Sequence, residues 1–280
     1  MKQNTDEWLE FRKKGLGASD APIVMGVSPW TTPHELWEEK TGRRTRDVSN
    51  FATRRGHELE PVARAKYELE TGIDMPETLA IHQEYPFLRA SLDGFNKEKN
   101  IVLEIKCPGE EDHNLALNGQ IPAKYYPQLQ HQLLVSGADE LHYYSFRNSS
   151  GVLIRVAPDR LYICDDLFPK LVAFWELVST DTPPPLVDRD WKTVRDSDMK
   201  LKVQAWKVIK DNIDVLSEKE GELRKLILSG LEKHPRWKCD DVSVYSYERM
   251  GNVDYSKIPE LVGVDLKPYR KKPSKVWTIK

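Results

Sequence analysis

The sequence predicts an α/β fold, with a central mixed β-sheet flanked by helices and then a C-terminal extension of helix and short strands. Three observations carry this. Helix-like and strand-like runs alternate through the first two-thirds of the chain. A proline-rich break, PPPL at 183–186, follows them. After the break, one long apolar stripe recurs at three- and four-residue steps. At roughly 150 residues per domain, 280 residues suit one core to 182 and one appended segment, 183–280.

Residues 4–14 read as a short helix carrying Trp8, Leu9 and Phe11. GLGASDAPIVMGVSPW then forms a glycine-punctuated loop leading into a helix, with Ser19 and Asp20 as N-caps and Pro22 in the first turn. Residues 33–41 read as a helix stopped by Gly42. Residues 57–71 read as another, with Pro61 in its first turn and Gly72 as its stop. RASLDGF (89–95) and IVLEIKC (101–107) are strand-like runs around the polar NKEKN. Pro122 to Ser136 is helical, with Pro127 early and Gly137 at its end. ELHYYSF and VLIRVA form a hairpin around NSSG, and 159–179 is helical with a kink at Pro169. Beyond the break, Met199, Val203, Trp206, Ile209, Ile213 and Leu216 line one face of a helix over about 196–230. VSVYSY near the end is strand-like.

Composition excludes several classes. Charged residues are 31% and hydrophobic residues 39%, too apolar for a disordered chain. No run of about 18 apolar residues exists to span a membrane. The first fifteen residues lack the apolar centre of a secretory signal. Cys107, Cys164 and Cys239 lie far apart, which argues against a disulfide framework or a cysteine-rich zinc site and fits a cytoplasmic location. The net charge of −2 argues against a uniformly basic nucleic-acid binder. Yet residues 266–280 hold six basic residues and no acid, a net of +6, so the remainder carries −8. Residues 43–55 add five arginines against Asp47. These basic stretches fit either anion binding or a solvated surface.

The informative centre is SLDGF–NKEKN–IVLEIKCP. Along 101–107 side chains alternate, so Ile101, Leu103 and Ile105 take one face and Val102, Glu104 and Lys106 the other. A turn centred on Glu98–Lys99 sets Asp93 directly opposite Glu104. Two facing carboxylates repel unless a cation lies between them, and hard oxygen ligands suit Mg²⁺ or Mn²⁺ rather than zinc. Lys106 beside such an ion could orient or help deprotonate an attacking water. Metal-assisted hydrolysis of a phosphodiester needs these parts.

Four segments, in order, resemble the lambda-type phage exonuclease family, the YqaJ-like viral recombinases of the PD-(D/E)XK nuclease superfamily. They are WLEFRKKGLGASDAPIVMG (8–26), RRGHELEPVA (54–63), SLDGF…LEIKCP (91–108) and YYPQLQHQLLVSGA (125–138). The resemblance implies a restriction-endonuclease-like core over 1–182. It implies that Asp93 and Glu104 are metal-binding acids, that the Ile105 carbonyl completes the metal site and that Lys106 is the catalytic lysine. Glu60 matches a further glutamate brought from a preceding helix. Arg12, Ser19 and Gln128 match a pocket for the terminal 5′-phosphate of DNA. Leu92 stands where the family pattern has proline.

The implied function is a Mg²⁺-dependent 5′-to-3′ exonuclease, with two ions per site, acting on linear duplex DNA and leaving 3′ overhangs for phage recombination. The resemblance also implies a trimeric ring, a single-strand annealing partner, and action in the cytoplasm of a bacterial host on behalf of a phage or prophage. The alternatives are a structure-specific or restriction-like endonuclease using the same centre, and a non-catalytic DNA-binding or assembly protein.

Overall fold

The structure is a computed structural model. It describes residues 11–45, 51–229, 236–245, 247–249, 251, 257–261 and 264, without the side chains of 51–54 and 57. Trp8, Leu9 and the basic tail at 266–280 therefore lie outside the described residues, as does the Arg54 side chain. The chain divides into two compact units, Met1–Thr193 and Val194–Lys280.

In the first unit, a 3₁₀ turn at Ala18–Asp20 leads into α1 (Ala21–Val24). Asp20 precedes α1, as expected of an N-cap, but its carboxylate does not cap that helix. It turns back to accept the Gly17 N–H at 2.9 Å, because two cations lie on that side. α2 (Pro33–Lys40) has a full capping box on Thr32 and Glu35, and Gly42 ends it at φ +75°. α3 (Phe51–Thr71) begins earlier than its sequence pattern suggests. Pro61 thus sits mid-helix rather than in the first turn, with its ring on the solvent side, where the missing N–H costs one helical bond but no packing.

The strand region contains more elements than the sequence pattern gives. β1 (Thr78–Ile81) pairs antiparallel with β2 (Arg89–Leu92) in a small sheet. β3 (Gly94–Asn96), β4 (Ile101–Lys106), β5 (Glu140–Arg147) and β6 (Ser150–Val156) form the main sheet in that order. Pairing is antiparallel for β3–β4 and β5–β6 but parallel for β4–β5, so the sheet is mixed. The parallel step requires a crossover, supplied by α4 (Glu110–Leu117) and α5 (Tyr126–Ser136). Gly137 ends α5 in the left-handed region. Asn148 and Ser149 both take positive φ at the β5–β6 turn, which matches the twist of a two-residue hairpin. The predicted kink near Pro169 is a π turn at Ile163–Leu167 running into α6 (Phe168–Ser179).

Both faces of the main sheet are covered. Leu103 and Ile105 of β4 pack with Tyr144 and Phe146 of β5 against Ala63 and Tyr67 of α3. On the other face, Val102, Leu141, Tyr143 and Val156 join Leu129 and Leu133 of α5 in the larger core. The strand alternation read from the sequence therefore separates two cores rather than a core and a solvent face.

Residues beyond the triple proline are tied to the first unit. Thr32 Oγ1 donates to Asp190 at 2.5 Å, Arg189 to the Ser28 carbonyl at 2.9 Å, and His34 Nδ1 lies 3.2 Å from the Pro184 carbonyl. Of the basic stretch, Arg43 makes a bidentate pair with Asp181 and Arg44 pairs with Glu35. Those two arginines are already neutralised by acids. In the second unit, α7 (Ser197–Ser229) is followed by a hairpin of β7 (Arg236–Cys239) and β8 (Val242–Tyr245). No helix among the described residues is long and apolar enough to cross a membrane.

Candidate active site

The β3–β4 ladder pairs Gly94 with Leu103, Phe95 with Val102 and Asn96 with Ile101. One step further along this register stands Asp93 against Glu104, the juxtaposition that a turn at Glu98–Lys99 predicts. Asp93 itself lies between two strands of different sheets, β2 and β3. Gly94 makes this break possible, since a Cβ there would lie 2.5 Å from Met75 Cβ and 3.2 Å from Leu103 Cβ. Freed from the ladder, the Asp93 carboxylate accepts the Ile105 N–H at 2.8 Å. Arg64 of α3 clamps the Asp93 carbonyl, donates to the Met75 carbonyl at 2.8 Å and to Glu60 at 3.1 Å. Glu60 thus reaches the centre beside Arg64.

Glu104 is 2% exposed yet fully engaged. Gln128 and Gln132 of α5 donate to its two oxygens, each at 2.5 Å, and Lys106 donates to the oxygen shared with Gln128. The Lys106 ammonium also sits 5.4 Å from the centre of the Tyr125 ring. Gln132 was not singled out from the sequence. Its only signal was its spacing: four residues after Gln128 on a helix puts both amides on one face.

The electrostatics are those of a site short of positive charge. Burial raises the Asp93 carboxyl well above its ordinary range, the charges of Glu104 and Glu60 raise it further, and Lys106 and the Ile105 N–H only partly oppose them. Burial works against the Lys106 ammonium, but Glu104 and Asp93 outweigh it and hold the group charged above its ordinary value. Among the described residues, no three of His, Cys, Asp and Glu gather as a metal cluster. A divalent ion here would therefore rest on Asp93 and Glu104, with carbonyl and water oxygens completing its shell. That all-oxygen set and the unrelieved repulsion at Asp93 fit a hard cation.

Arg12 and Ser19 come together as well. The guanidinium donates to Ser19 Oγ at 3.2 Å and to Asp20 at 3.0 Å. Asp20 is fully buried and also holds Lys40 at 2.6 Å. Arg12 and Lys40 thus bring two positive charges to the one buried carboxylate of Asp20, beside the Ser19 hydroxyl. Gln128, expected beside these two, has its amide on Glu104. His131, three residues on, binds the Arg89 carbonyl through Nε2 at 3.0 Å and is buried in the core.

Residues 7–139 match the family model of the YqaJ-like viral recombinase domain. The Bacillus subtilis (strain 168) protein YqaJ, itself described as uncharacterized, is 35% identical over 137 residues. That match covers 48% of this chain and 43% of the relative, so the chain spans under half of that protein's length. Among solved structures, an alkaline exonuclease (LHK-Exo) from Laribacter hongkongensis superposes with a TM-score of 0.56 at 27% identity, over 63% of this chain and 94% of that one. The same exonuclease in complex with dAMP gives a TM-score of 0.57 over the same shares, again at 27% identity. The mixed sheet with helices on both faces is thus the restriction-endonuclease-like arrangement. Residues 7–139 of this chain thus carry the pattern of the YqaJ-like viral recombinase domain, on a fold similar to that of an alkaline exonuclease.

Proposed function

We propose that this chain is a metal-dependent deoxyribonuclease that degrades linear double-stranded DNA from its 5′ ends and leaves 3′ overhangs, with residues 1–182 as the nuclease core. The observation that supports this most is the β3–β4 register, with Asp93 against Glu104 and Lys106 two residues on. Likeness to an alkaline exonuclease supports the same reading.

Asp93, Glu104 and the Ile105 carbonyl would hold Mg²⁺ or Mn²⁺. When bound, such an ion supplies Lewis-acid polarisation of the scissile phosphate and activation of a water. The remaining work falls to side chains of the chain. Gln128 and Gln132 fix both oxygens of Glu104, so that carboxylate keeps one orientation. Arg64 holds the Asp93 backbone at the break between sheets. Lys106, kept charged by the two acids, orients a water or a phosphate oxygen through its ammonium. The Arg12 guanidinium, set beside the Ser19 hydroxyl and held by Asp20, suits a terminal 5′-phosphate. An end-binding pocket distinguishes an exonuclease from an endonuclease with the same centre.

The test uses three substrates with Mg²⁺: 5′-phosphorylated linear duplex, dephosphorylated linear duplex and covalently closed circles. The reading expects fast loss of the first, slower loss of the second and intact circles. Nicked or linearised circles would point to the endonuclease instead. Inactivity on all three, across metals and pH, would leave a DNA-binding protein.

A further inference from the structure

α7 spans 33 residues, a rod of about 50 Å, and not one of its residues is buried within this chain. Its sequence nevertheless carries a coiled-coil seam. Met199, Trp206, Ile213 and Ile227 fall at one core position of the heptad, and Ile209, Leu216 and Leu223 at the other. Ile209, Ile213, Leu216 and Leu223 are each more than half exposed. Apolar residues thus fill seven of the nine seam positions in α7; the other two hold Lys202 and Glu220. A seam maintained over this many heptads calls for another helix.

The two charged seam residues identify which helix. In a parallel pair of identical α7 helices, Lys202 would meet Lys202 and Glu220 would meet Glu220, burying like charges together. In an antiparallel pair they meet each other. Aligning Lys202 with Glu220 of a second copy also aligns Met199 with Leu223, Trp206 with Leu216 and Ile209 with Ile213, so every other layer along the overlap is apolar. Sliding by one heptad sets Lys202 against Ile227 and Glu220 against Ile209, leaving both charges buried and unpaired. Beside the seam, Lys210 faces its own copy, where each ammonium is held by Asp214 at 2.6 Å on its own helix. Lys202 now rests on Asp198 at 2.7 Å and Glu220 on Arg224 at 3.8 Å, both exposed pairs of little worth. They are easily exchanged for a partner across the seam.

We propose that α7 is a self-association element, which pairs antiparallel with α7 of a second copy of this chain through a Lys202–Glu220 layer at each end of an apolar seam. Sedimentation of the full chain reads this directly. Lys202→Glu or Glu220→Lys alone should weaken self-association about tenfold or more, and the double reversal should restore it to within about threefold. Far-UV circular dichroism on each variant verifies that the exposed helix still forms. With Cys164 and Cys239 changed to Ser, oxidised Lys202→Cys/Glu220→Cys should give a covalent dimer and Lys202→Cys alone should not. A chain that stays monomeric at every concentration overturns the proposal. So does an assembly whose mass ignores Glu220→Lys, or a covalent dimer through Lys202→Cys alone.

Discussion

Asp20 anchors the N-terminal part of the candidate phosphate pocket, and its removal has a calculable cost. The carboxylate is fully buried and accepts from Arg12 at 3.0 Å, Lys40 at 2.6 Å and the Gly17 N–H at 2.9 Å. Lys40 is the more exposed to loss, since its side chain is only 6% accessible while that of Arg12 is 24%. The Lys40 ammonium also donates to the carbonyls of Gly15 at 2.7 Å and Arg12 at 3.0 Å, so it cannot leave without breaking the loop. Removing one partner of a buried pair typically costs about 3–5 kcal/mol, because the other charge is left uncompensated. Asp20→Asn keeps an oxygen acceptor, so it belongs near the lower end, about 3 kcal/mol. Asp20→Ala also strips the Gly17 N–H of its acceptor and belongs near about 5 kcal/mol. Urea unfolding followed by fluorescence measures both, with an unchanged m-value as the sign that only stability moved. An Asp20→Ala cost below about 1 kcal/mol, or equal costs for the two variants, would refute the reasoning.

Three further outcomes are expected. Lys106→Ala should abolish cleavage while DNA binding in Ca²⁺ persists, measured by gel shift and product release; retained turnover would remove Lys106 from the chemistry. Arg12→Ala should erase most of the preference for 5′-phosphorylated over dephosphorylated ends, and an unchanged rate ratio would show the pocket lies elsewhere. His131 is fully buried, and burial lowers its pKa to about 4 from the ordinary 6.5, so the unfolded chain binds the proton first as pH falls. Stability from this group is therefore complete above about pH 6.5 and is lost below it, by about 2 kcal/mol between pH 7 and pH 5. In His131→Gln that portion of the pH dependence should vanish, and an identical slope in chemical denaturation would contradict the assignment.

Much of this was legible in the sequence because single residues fix local geometry. Gly42, Gly72 and Gly137 end the three helices they were expected to end, each at positive φ. The polar NKEKN turn fixes the β3–β4 register, and strand alternation then dictates which side chains share a face. Less legible was what depends on distant packing. α4 opens on Glu110, Glu111 and Asp112 and offers little apolar periodicity, so it declares itself only as part of the parallel crossover. β1 is four residues long and half-buried, too short to show alternation. The split at Asp93 follows from the approach of Met75 to Gly94, a contact across 19 residues of chain that no local pattern encodes. Gln132 and Arg64 hold the acidic centre from two different helices, and only the fold brings those helices to one strand.

The hydrogen bonds that tie residues 184–190 back to residues 28–34 bear on how the chain can be cut. A truncation after residue 182 would leave Thr32 without Asp190, although Thr32 is the cap on which α2 begins, and α2 carries Lys40 to its place under Asp20. Such a fragment should be softened around Arg12, Ser19 and Asp20, the candidate phosphate pocket, even though none of those residues was removed. A fragment ending at 193 keeps every one of those bonds, and it is the shorter piece on which activity can be measured without that confusion.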